Sequence, residues 1–414
     1  MIYSVIGSNY GDEGKGLMTD YLAALKPSTL VIRHNGGAQS GHTVEFEDKR
    51  FIFHELSSGS VRGADTYWAD TFYPDLYKFN EEIESFLGVI GKKSLPFSIY
   101  ASPSTCITTI DDIFCNMLRE SLRGNNRHGS CGMGIFEAVL RCRAGYKVCI
   151  GELFKMNADT LSQRLAEIRH DYVIPHINEI LKEFNLVLEN VDLKSLNPSA
   201  AEYLDLLTSD DVLYNFAQGV IDNLKYIKLK KPSVDFLTKY DNVIFETGQG
   251  LYLDAECKES FPHVTASKTG LYNPVKFLDY LGLQLDEAVY VTRTYMTKHG
   301  AGPFADEDRN LFFPDETNIR NNWQGSIRFG RFTSIDSLIS RINNDLKTAD
   351  YRPAVALAVT HLNETDNCLL TANGGIEIDE FVREPLVTEN IDKMYLSSSK
   401  YADQTVKTQL RNCI

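Results

Sequence analysis

A glycine-rich loop between two apolar segments opens the chain and limits the folds that it can adopt. Residues 2–6 alternate as in a short strand, and residues 17–25 have the apolar spacing of a helix that ends before Pro27. Residues 29–32 predict a second strand. A strand, a glycine loop, a helix and a strand in this order are typical of a βαβ unit. We therefore expect an α/β fold with a mostly parallel central sheet and flanking helices.

The rest of the chain extends this prediction. Residues 242–245, 288–292 and 354–360 are short apolar runs that predict buried strands. Residues 151–240 instead carry apolar side chains three and four positions apart, which predicts a mostly helical insertion. The sequence contains no linker-like stretch and no internal repeat. We therefore expect one domain over residues 1–414.

Charge and composition exclude several classes of protein. The chain has 42 Lys and Arg against 56 Asp and Glu, a net charge of -14, which disfavours binding to nucleic acid or anionic lipid. The run at residues 225–231 is then most simply a solvated face. No apolar run has the length of a membrane helix, no signal peptide is recognisable, and the eight cysteines form no CxxC pair. We expect a cytoplasmic protein with reduced thiols.

The first loop, Gly11-Asp12-Glu13-Gly14-Lys15-Gly16, has the features of an anion site. Its glycines let backbone N–H groups approach a phosphate, the following helix adds positive charge at its N-terminus, and Lys15 adds a full charge. The spacing is that of neither a Walker A loop nor a dinucleotide fingerprint. Asp12 could hold Mg²⁺ or accept a proton, which a passive phosphate cradle does not need. The alternative is an ordinary strand-to-helix turn with surface charges.

A second glycine-rich loop, residues 35–43, follows the second predicted strand. Open α/β sheets bind ligands at the carboxyl ends of their strands. His42 is the side chain in this loop that titrates near neutral pH, so it could give a proton or hydrogen bond to a phosphoryl group. A lone histidine is more often structural, but the neighbouring first loop favours a catalytic role.

Together these loops resemble the opening of the adenylosuccinate synthetase family. GDEGKG is followed by NGGAQSGHTV, and further similar blocks occur in the family's order. These blocks are HELSSG (54–59), GSCGMG (129–134), FETGQGLYLD (245–254), PHVT (262–265), TYMTKHGAGPF (294–304) and DQT (403–405). The resemblance covers nearly the whole chain. It implies a sheet of the P-loop-like NTPase type.

The resemblance also implies a reaction. Family members are ligases of purine biosynthesis that join L-aspartate to C6 of IMP, with GTP as phosphoryl donor and Mg²⁺ as cofactor. Asp12 matches the base that removes the N1 proton, and His42 matches the acid beside the moving phosphoryl group. Lys15 and Gln249 match further catalytic residues. Asp12 and the Gly41 carbonyl match the Mg²⁺ ligands.

Other positions match the family's ligand contacts. Arg143 corresponds to a residue that a partner subunit supplies, so the resemblance implies a homodimer. The implied contacts of the acceptor nucleotide and of the amine donor are Gln39, Ser40, Gly129, Arg143, Gln249, Thr265 and Ser326. The implied contacts of the phosphoryl donor are Gly11, Asp12, Glu13, Gly14, Lys15, Gly16, Gly41, His42, Thr43, Arg328, His361 and Asn363.

The donor-binding segment departs from the family pattern. The family's T-K-L-D is here Thr360-His361-Leu362-Asn363. An Asp accepts hydrogen bonds from two guanine N–H groups, whereas Asn offers one acceptor and one donor. Asn363 could pair with adenine or still accept guanine. Both GTP and ATP therefore stay open as donors.

The segments expected to bind the amine donor depart further. Ser326 and Cys131 stand where family members have arginines, which leaves a dicarboxylate short of bidentate partners. Either Lys298, Arg320 or Arg331 compensates, or the amine donor differs.

These departures resemble the phage-type branch that aminates dGMP and can use ATP. In that branch the base Asp is replaced by a small residue, which makes room for the purine 2-amino group. Because Asp12 is retained, the sequence favours IMP or dIMP over dGMP. The alternative of another class is a catalytically silent nucleotide-binding paralogue, against which Asp12, Lys15, His42 and Gln249 argue.

Overall fold

The central sheet holds strands from both halves of the chain. The computed structural model describes residues 1–188, 197–315 and 325–410. Its strands are β1 (Ile2–Gly7), β2 (Thr29–Arg33), β3 (His42–Phe46), β4 (Lys49–Phe53), β5 (Asp65–Trp68), β6 (Ile99–Ala101), β7 (Ile227–Leu229), β8 (Asn242–Gly250), β9 (Glu287–Arg293), β10 (Met296–Lys298), β11 (Arg328–Gly330), β12 (Ala354–Thr360), β13 (Cys368–Thr371), β14 (Gly374–Glu377), β15 (Lys393–Leu396) and β16 (Val406–Gln409).

Ten of these strands form one sheet in the order β16-β15-β12-β9-β1-β8-β2-β5-β6-β7. Every neighbouring pair is parallel except the edge pair β15 and β16, which is antiparallel. The pairs β3–β4, β10–β11 and β13–β14 are separate antiparallel hairpins. The predicted α/β fold with a mostly parallel sheet is therefore confirmed.

Helices cover both faces of the sheet. They are α1 (Lys15–Ala24), α2 (Phe79–Ile90), α3 (Ile110–Arg123), α4 (Ile135–Arg143), α5 (Ile150–Leu153), α6 (Ala158–Ile168), α7 (Ile174–Glu183), α8 (Pro198–Leu207), α9 (Asp211–Asn223), α10 (Val234–Leu237), α11 (Tyr272–Leu281), α12 (Ile335–Leu346), α13 (Ile378–Phe381) and α14 (Pro385–Asn390). A π-helical turn, Arg169–Val173, joins α6 to α7. Among the described residues, no helix is both long and apolar enough to cross a bilayer.

The first βαβ unit forms nearly where the sequence predicts it. Strand β1 extends one residue beyond the prediction, and α1 starts at Lys15, two residues early. The early start depends on Gly14, whose φ of 96° is left-handed and turns the loop directly into the helix. Strand β8 reaches Gly250 instead of residue 245, because it continues through the polar residues that serve the site described below.

The helical insertion packs beside one end of the sheet. Residues 151–240 are mostly helical as predicted, with β7 as a short strand among the described residues 151–188 and 197–240. The apolar faces of α6, α7, α8 and α9 share a core with β4, β6 and α2. Lys225, Lys228 and Lys231 lie exposed on the outside, which fits a solvated face.

Helix α1 lies against the second loop with almost no space between them. A Cβ added to Gly16 would lie 2.6 Å from the carbonyl oxygen of Thr43. We expect Gly16→Ala to lower the free energy of unfolding by about 1–3 kcal/mol, measured by urea denaturation.

Gly88→Ala is the matched control. Gly88 lies within α2, and an added Cβ there would meet nothing within 4 Å. Alanine should therefore leave stability unchanged or raise it by up to about 1 kcal/mol. An equal effect of the two substitutions would contradict the close packing of α1.

Candidate functional site

The candidate site lies where five adjacent parallel strands end. The carboxyl ends of β12, β9, β1, β8 and β2 are neighbours in the sheet, and the loops that follow them surround a cavity of about 710 Å³. Open α/β sheets bind ligands at such an edge. The predicted site residues that line this cavity are Gly11, Asp12, Gly14, Lys15, Gly16, Gln39, Ser40, Gly41, His42, Thr43, Gln249, His361 and Asn363.

A buried carboxylate holds the first loop in shape. Glu13 is 1% exposed. Its Oε1 accepts hydrogen bonds from the backbone N–H groups of Asn9 (3.0 Å) and Gly11 (2.8 Å), and its Oε2 lies 2.6 Å from the Lys15 Nζ. The Glu13 side chain therefore supports the loop from beneath. This leaves the backbone N–H groups and the Lys15 ammonium as the groups of the loop that could hold an anion.

Asp12 projects from a strained position in this loop. Its φ of 61° is left-handed, which costs a non-glycine residue of the order of 1 kcal/mol. The buried Arg293 guanidinium holds the turn, because its Nε donates to the Asp12 carbonyl oxygen over 2.5 Å. The Asp12 carboxylate is half-buried at the cavity wall. Strain of this kind at a cavity is typical of a functional residue.

His42 is held from behind by two buried charged groups. Its Nδ1 lies 2.7 Å from the Glu246 Oε1 and 2.9 Å from the Arg33 Nη1. The Arg33 Nη1 also donates to the Glu246 Oε2 over 3.2 Å. A carboxylate can only accept and a guanidinium can only donate, so the shorter contact assigns the Nδ1 hydrogen to a bond with Glu246. The other ring nitrogen, Nε2, has no hydrogen-bond partner among the described residues.

Burial sets the charge state of this network. Burial lowers the pKa of His42 to about 4, although Glu246 opposes that shift. Burial alone would raise the pKa of Glu246, but His42 and Arg33 together hold it well below its usual range. His42 is therefore neutral near pH 7, with an unpaired Nε2 in a buried position at the cavity. A phosphoryl group there would favour the protonated ring and receive its hydrogen bond.

Two amide side chains supply polar groups to the same cavity. The Oε1 atoms of Gln39 and Gln249 are buried and lack hydrogen-bond partners within the described part of the chain. Gln249 also has a left-handed φ of 65° near the end of β8. Unpaired buried polar groups are costly, so these amides fit a ligand with matching donors, such as a nucleotide.

The end of β12 forms another wall of the cavity. The Thr360 hydroxyl donates to the Glu13 carbonyl oxygen over 2.7 Å, and the His361 Nδ1 lies 2.8 Å from that hydroxyl oxygen. Burial lowers the pKa of His361 well below its usual value, so this ring is neutral and can donate to Thr360. Asn363, two residues further on, is exposed at the rim.

The remaining predicted contacts lie outside this cavity wall. Arg328 is bound by Glu307, with its Nη2 2.6 Å from the Glu307 Oε2, and Ser326 is exposed. The backbone N–H of Thr265 donates to the Leu253 carbonyl oxygen over 2.8 Å. Gly129 packs so closely on the 300–301 backbone that an added Cβ would lie 3.0 Å from the Ala301 nitrogen.

Arg143 lines a different cavity. This second space, about 1080 Å³, is also lined by Tyr73, Tyr252, Lys268 and Arg341. The structure therefore does not bring Arg143 to the cavity that Asp12 and His42 line.

The sequence analysis missed four residues that shape the site: Arg33, Glu246, Arg293 and His299. Arg33 and Glu246 are at most 1% exposed, and both directly adjoin predicted apolar strands. A charged residue next to a buried strand needs a partner of opposite charge, because an unpaired buried charge is costly. The sequence therefore indicates that Arg33 and Glu246 each need a partner. It does not show that they pair with each other, because this depends on β2 and β8 being neighbours in the sheet.

The donor groups at the cavity fit a lightly held Mg²⁺. No cluster of three or more His, Cys, Asp or Glu side chains that could hold a metal occurs in residues 1–188, 197–315 and 325–410. The Asp12 carboxylate and the Gly41 backbone line the cavity together. Mg²⁺ commonly binds through one or two protein oxygens plus substrate phosphates and water, so this set is sufficient.

A family model described as adenylosuccinate synthetase matches residues 4–326. The chain belongs to the adenylosuccinate synthetase family. Similar curated proteins include the adenylosuccinate synthetases of Clostridium botulinum strain Alaska E43 (28% identical over 314 residues, 74% of this chain and 65% of the relative) and Borrelia duttonii (24% over 316 residues, 75% and 65%). The match therefore spans just under two thirds of these relatives' lengths.

Solved structures of similar fold extend over the whole chain. Fully ligated adenylosuccinate synthetase from Plasmodium falciparum has a TM-score of 0.59 at 18% identity, covering 98% of this chain and 86% of that one. Succinoaminodeoxyadenylate synthetase (PurZ) of cyanophage S-2L, bound to dGMP and to dATP as an energy donor, has a TM-score of 0.56 at 15% identity, covering 98% and 95%. At these identities the likeness establishes the family fold alone.

His34, at the start of the second loop, provides a test of burial at the site. Burial lowers its pKa to about 3, and its Nε2 bonds the Thr247 hydroxyl at 2.9 Å. The unfolded chain binds a proton here below about pH 6.5, whereas the folded protein does not, so acid destabilises the fold. Between pH 7 and 5 this residue should cost about 2 kcal/mol of stability.

His34→Gln removes this titration. Urea denaturation at pH 7 and pH 5 should show a shallower loss of stability in the variant than in the original chain, even if the variant is less stable at pH 7. Parallel pH dependences would mean that His34 is not buried as a neutral ring.

Proposed function

We propose that this protein is a ligase that joins L-aspartate to C6 of a purine nucleotide, with IMP as the leading acceptor. Phosphoryl transfer from a nucleoside triphosphate would drive the reaction. The observation that carries the proposal is the placement of Asp12 and His42 at one cavity, on loops that follow strands β1 and β2. Pure binding needs neither a base nor an acid. A silent paralogue would have no reason to keep both.

Each step uses a group that the cavity supplies. The Asp12 carboxylate accepts the N1 proton of the purine, so that O6 can attack the γ-phosphorus of the donor. The His42 Nε2 gives a hydrogen bond to the phosphoryl group as negative charge develops on it. Lys15 adds a positive charge beside the phosphates, and the Gln249 amide orients the purine. The amine of aspartate then attacks C6, and phosphate leaves with O6.

Mg²⁺ is the expected cofactor. Asp12 and the Gly41 carbonyl oxygen would hold it, together with oxygens of the bound phosphates. When bound there, the ion would neutralise charge on the phosphates. This role agrees with the sparse oxygen set at the cavity among the described residues.

GTP and ATP are both proposed as donors. Asn363 lies at the exposed rim of the cavity beyond the end of β12, where a purine base of the donor would be read. Its amide offers both a donor and an acceptor, which suits the Watson–Crick edge of adenine as well as part of that of guanine.

Lys298, Arg320 and Arg331 are the candidates for binding the carboxylates of the amine donor. Arg331 is already paired, with its Nε 2.9 Å from the Asp308 Oδ2, and Arg320 lies outside the described residues. Lys298 is 1% exposed and its Nζ lies 4.4 Å from the centre of the Tyr10 ring. Burial lowers the pKa of Lys298 to about 8, with Arg328 adding to that shift. Lys298 lines neither of the two cavities described above, but no carboxylate among the described residues contacts its ammonium, so we keep it as the proposed candidate of the three.

The assembly and location are also part of the proposal. Arg143 lines a different cavity from Asp12. Its proposed role at the acceptor nucleotide therefore requires a homodimer in which each subunit supplies its Arg143 to the site of the other. The proposed location is the cytoplasm, where purine nucleotides are made.

Asp12→Asn tests the base. The amide cannot accept the purine proton, so turnover should fall by about 10²–10⁴-fold, while calorimetry should still detect nucleotide binding. Asp159→Asn, on the exposed first turn of α6, is the matched control and should be unaffected. Turnover that survives in Asp12→Asn would remove this mechanism.

A product assay decides the substrates. IMP, dIMP and dGMP are each incubated with aspartate, Mg²⁺ and either GTP or ATP, and the succinyl product is measured by mass spectrometry. We expect product from IMP or dIMP. Product from dGMP alone would instead place the chain with the phage-type enzymes, and no product from any pair would favour the silent paralogue.

A further inference from the structure

His299 is a further imidazole at the cavity that Asp12 and His42 line. It directly follows β10 and lines the same space as Asp12 and His42. Both of its ring nitrogens are buried, and neither has a hydrogen-bond partner within the described residues. The His299 Nε2 lies 3.5 Å from the Asp12 Oδ2. This separation is just beyond a normal hydrogen bond.

Two unpaired ring nitrogens argue against a packing role. A buried polar atom without a partner loses its hydrogen bonds to water and gains none in return. An aliphatic side chain would fill the same volume without that penalty. The His299 ring is thus better explained by a partner that it meets when the cavity is occupied.

The Asp12 side chain is held less firmly than its backbone. Its backbone is fixed by Arg293, whose Nε donates to the Asp12 carbonyl oxygen. The carboxylate is held less firmly, since its nearby polar side chain among the described residues is His299 at 3.5 Å. A base must lie within hydrogen-bond distance, about 2.6–3.2 Å, of the atom whose proton it accepts.

We propose that His299 is a positioning residue for Asp12. Its ring N–H donates to the Asp12 Oδ2 when the acceptor nucleotide is bound, which fixes the carboxylate against the purine. The proposal rests on the proposed function, because it assigns Asp12 the role of base. It adds a residue that acts on the chemical step without itself exchanging a proton with the substrate.

Two variants of similar volume separate positioning from packing. His299→Gln keeps an N–H donor, whereas His299→Met keeps the volume and removes the donor. His170→Met is the control, because His170 is an exposed residue with its Nδ1 2.8 Å from the Asp171 Oδ1 on the surface. Thermal melting checks that each variant folds, and His299→Leu replaces the Met variant if that one does not.

The kcat and KM of these variants distinguish a positioning role of His299 from a packing role. We expect kcat of His299→Met to fall by about 10- to 100-fold, the loss expected for one hydrogen bond to a charged group. KM for both nucleotides should change by less than about threefold, and the Gln variant should recover most of kcat. Unchanged kcat in the Met variant, equal losses in both variants, or a loss confined to KM would overturn the proposal.

The original chain is assayed first, so that the two proposals fail separately. If it forms no succinyl product, the proposed function fails. If it does form product and the His299 variants behave alike, only the role of His299 is rejected.

Discussion

The site depends on one buried ion pair between neighbouring strands. Arg33 at the end of β2 and Glu246 within β8 are both at most 1% exposed and lie in contact with each other. The pair carries His42 on its outer side, and Arg33 also donates to the Ser40 hydroxyl and to the His54 carbonyl oxygen. Removing either charge would leave the other buried and unpaired, at a cost of about 3–5 kcal/mol. The second loop is therefore anchored to the sheet by electrostatics as much as by packing.

This anchor explains how a flexible-looking, glycine-rich sequence forms a defined cavity. The first loop is held by the Glu13 carboxylate, and the second by the Arg33–Glu246 pair. The residues left for ligands are those whose polar atoms have no partner, such as the His42 Nε2 and the Gln249 Oε1. Side chains whose polar atoms are hydrogen-bonded within the protein form the cavity walls. Side chains with unpaired polar atoms are the ones available to a ligand.

The sequence predicted local features better than long-range ones. The first βαβ unit, the helical insertion and strand β12 follow from apolar spacing and from glycines, which act over a few residues. The approach of Asp12 and His42 to one cavity also followed, because parallel strands end at the same edge. The support from Glu246 and Arg293 did not, since these residues lie more than 200 positions away from the loops that they hold. Their partners depend on strand order, which hydrophobic periodicity does not encode.

Thr360 has a consequence for how such a protein can diverge. Its hydroxyl donates to the Glu13 carbonyl oxygen, so the end of β12 is bonded to the first glycine-rich loop. A replacement that removes this hydroxyl would therefore disturb the loop that carries Asp12. Asn363 lies beyond this tie and is exposed. If Asn363 reads the donor base as proposed, one triphosphate could be exchanged for another by single substitutions at that outer position, without a change to Asp12 or His42.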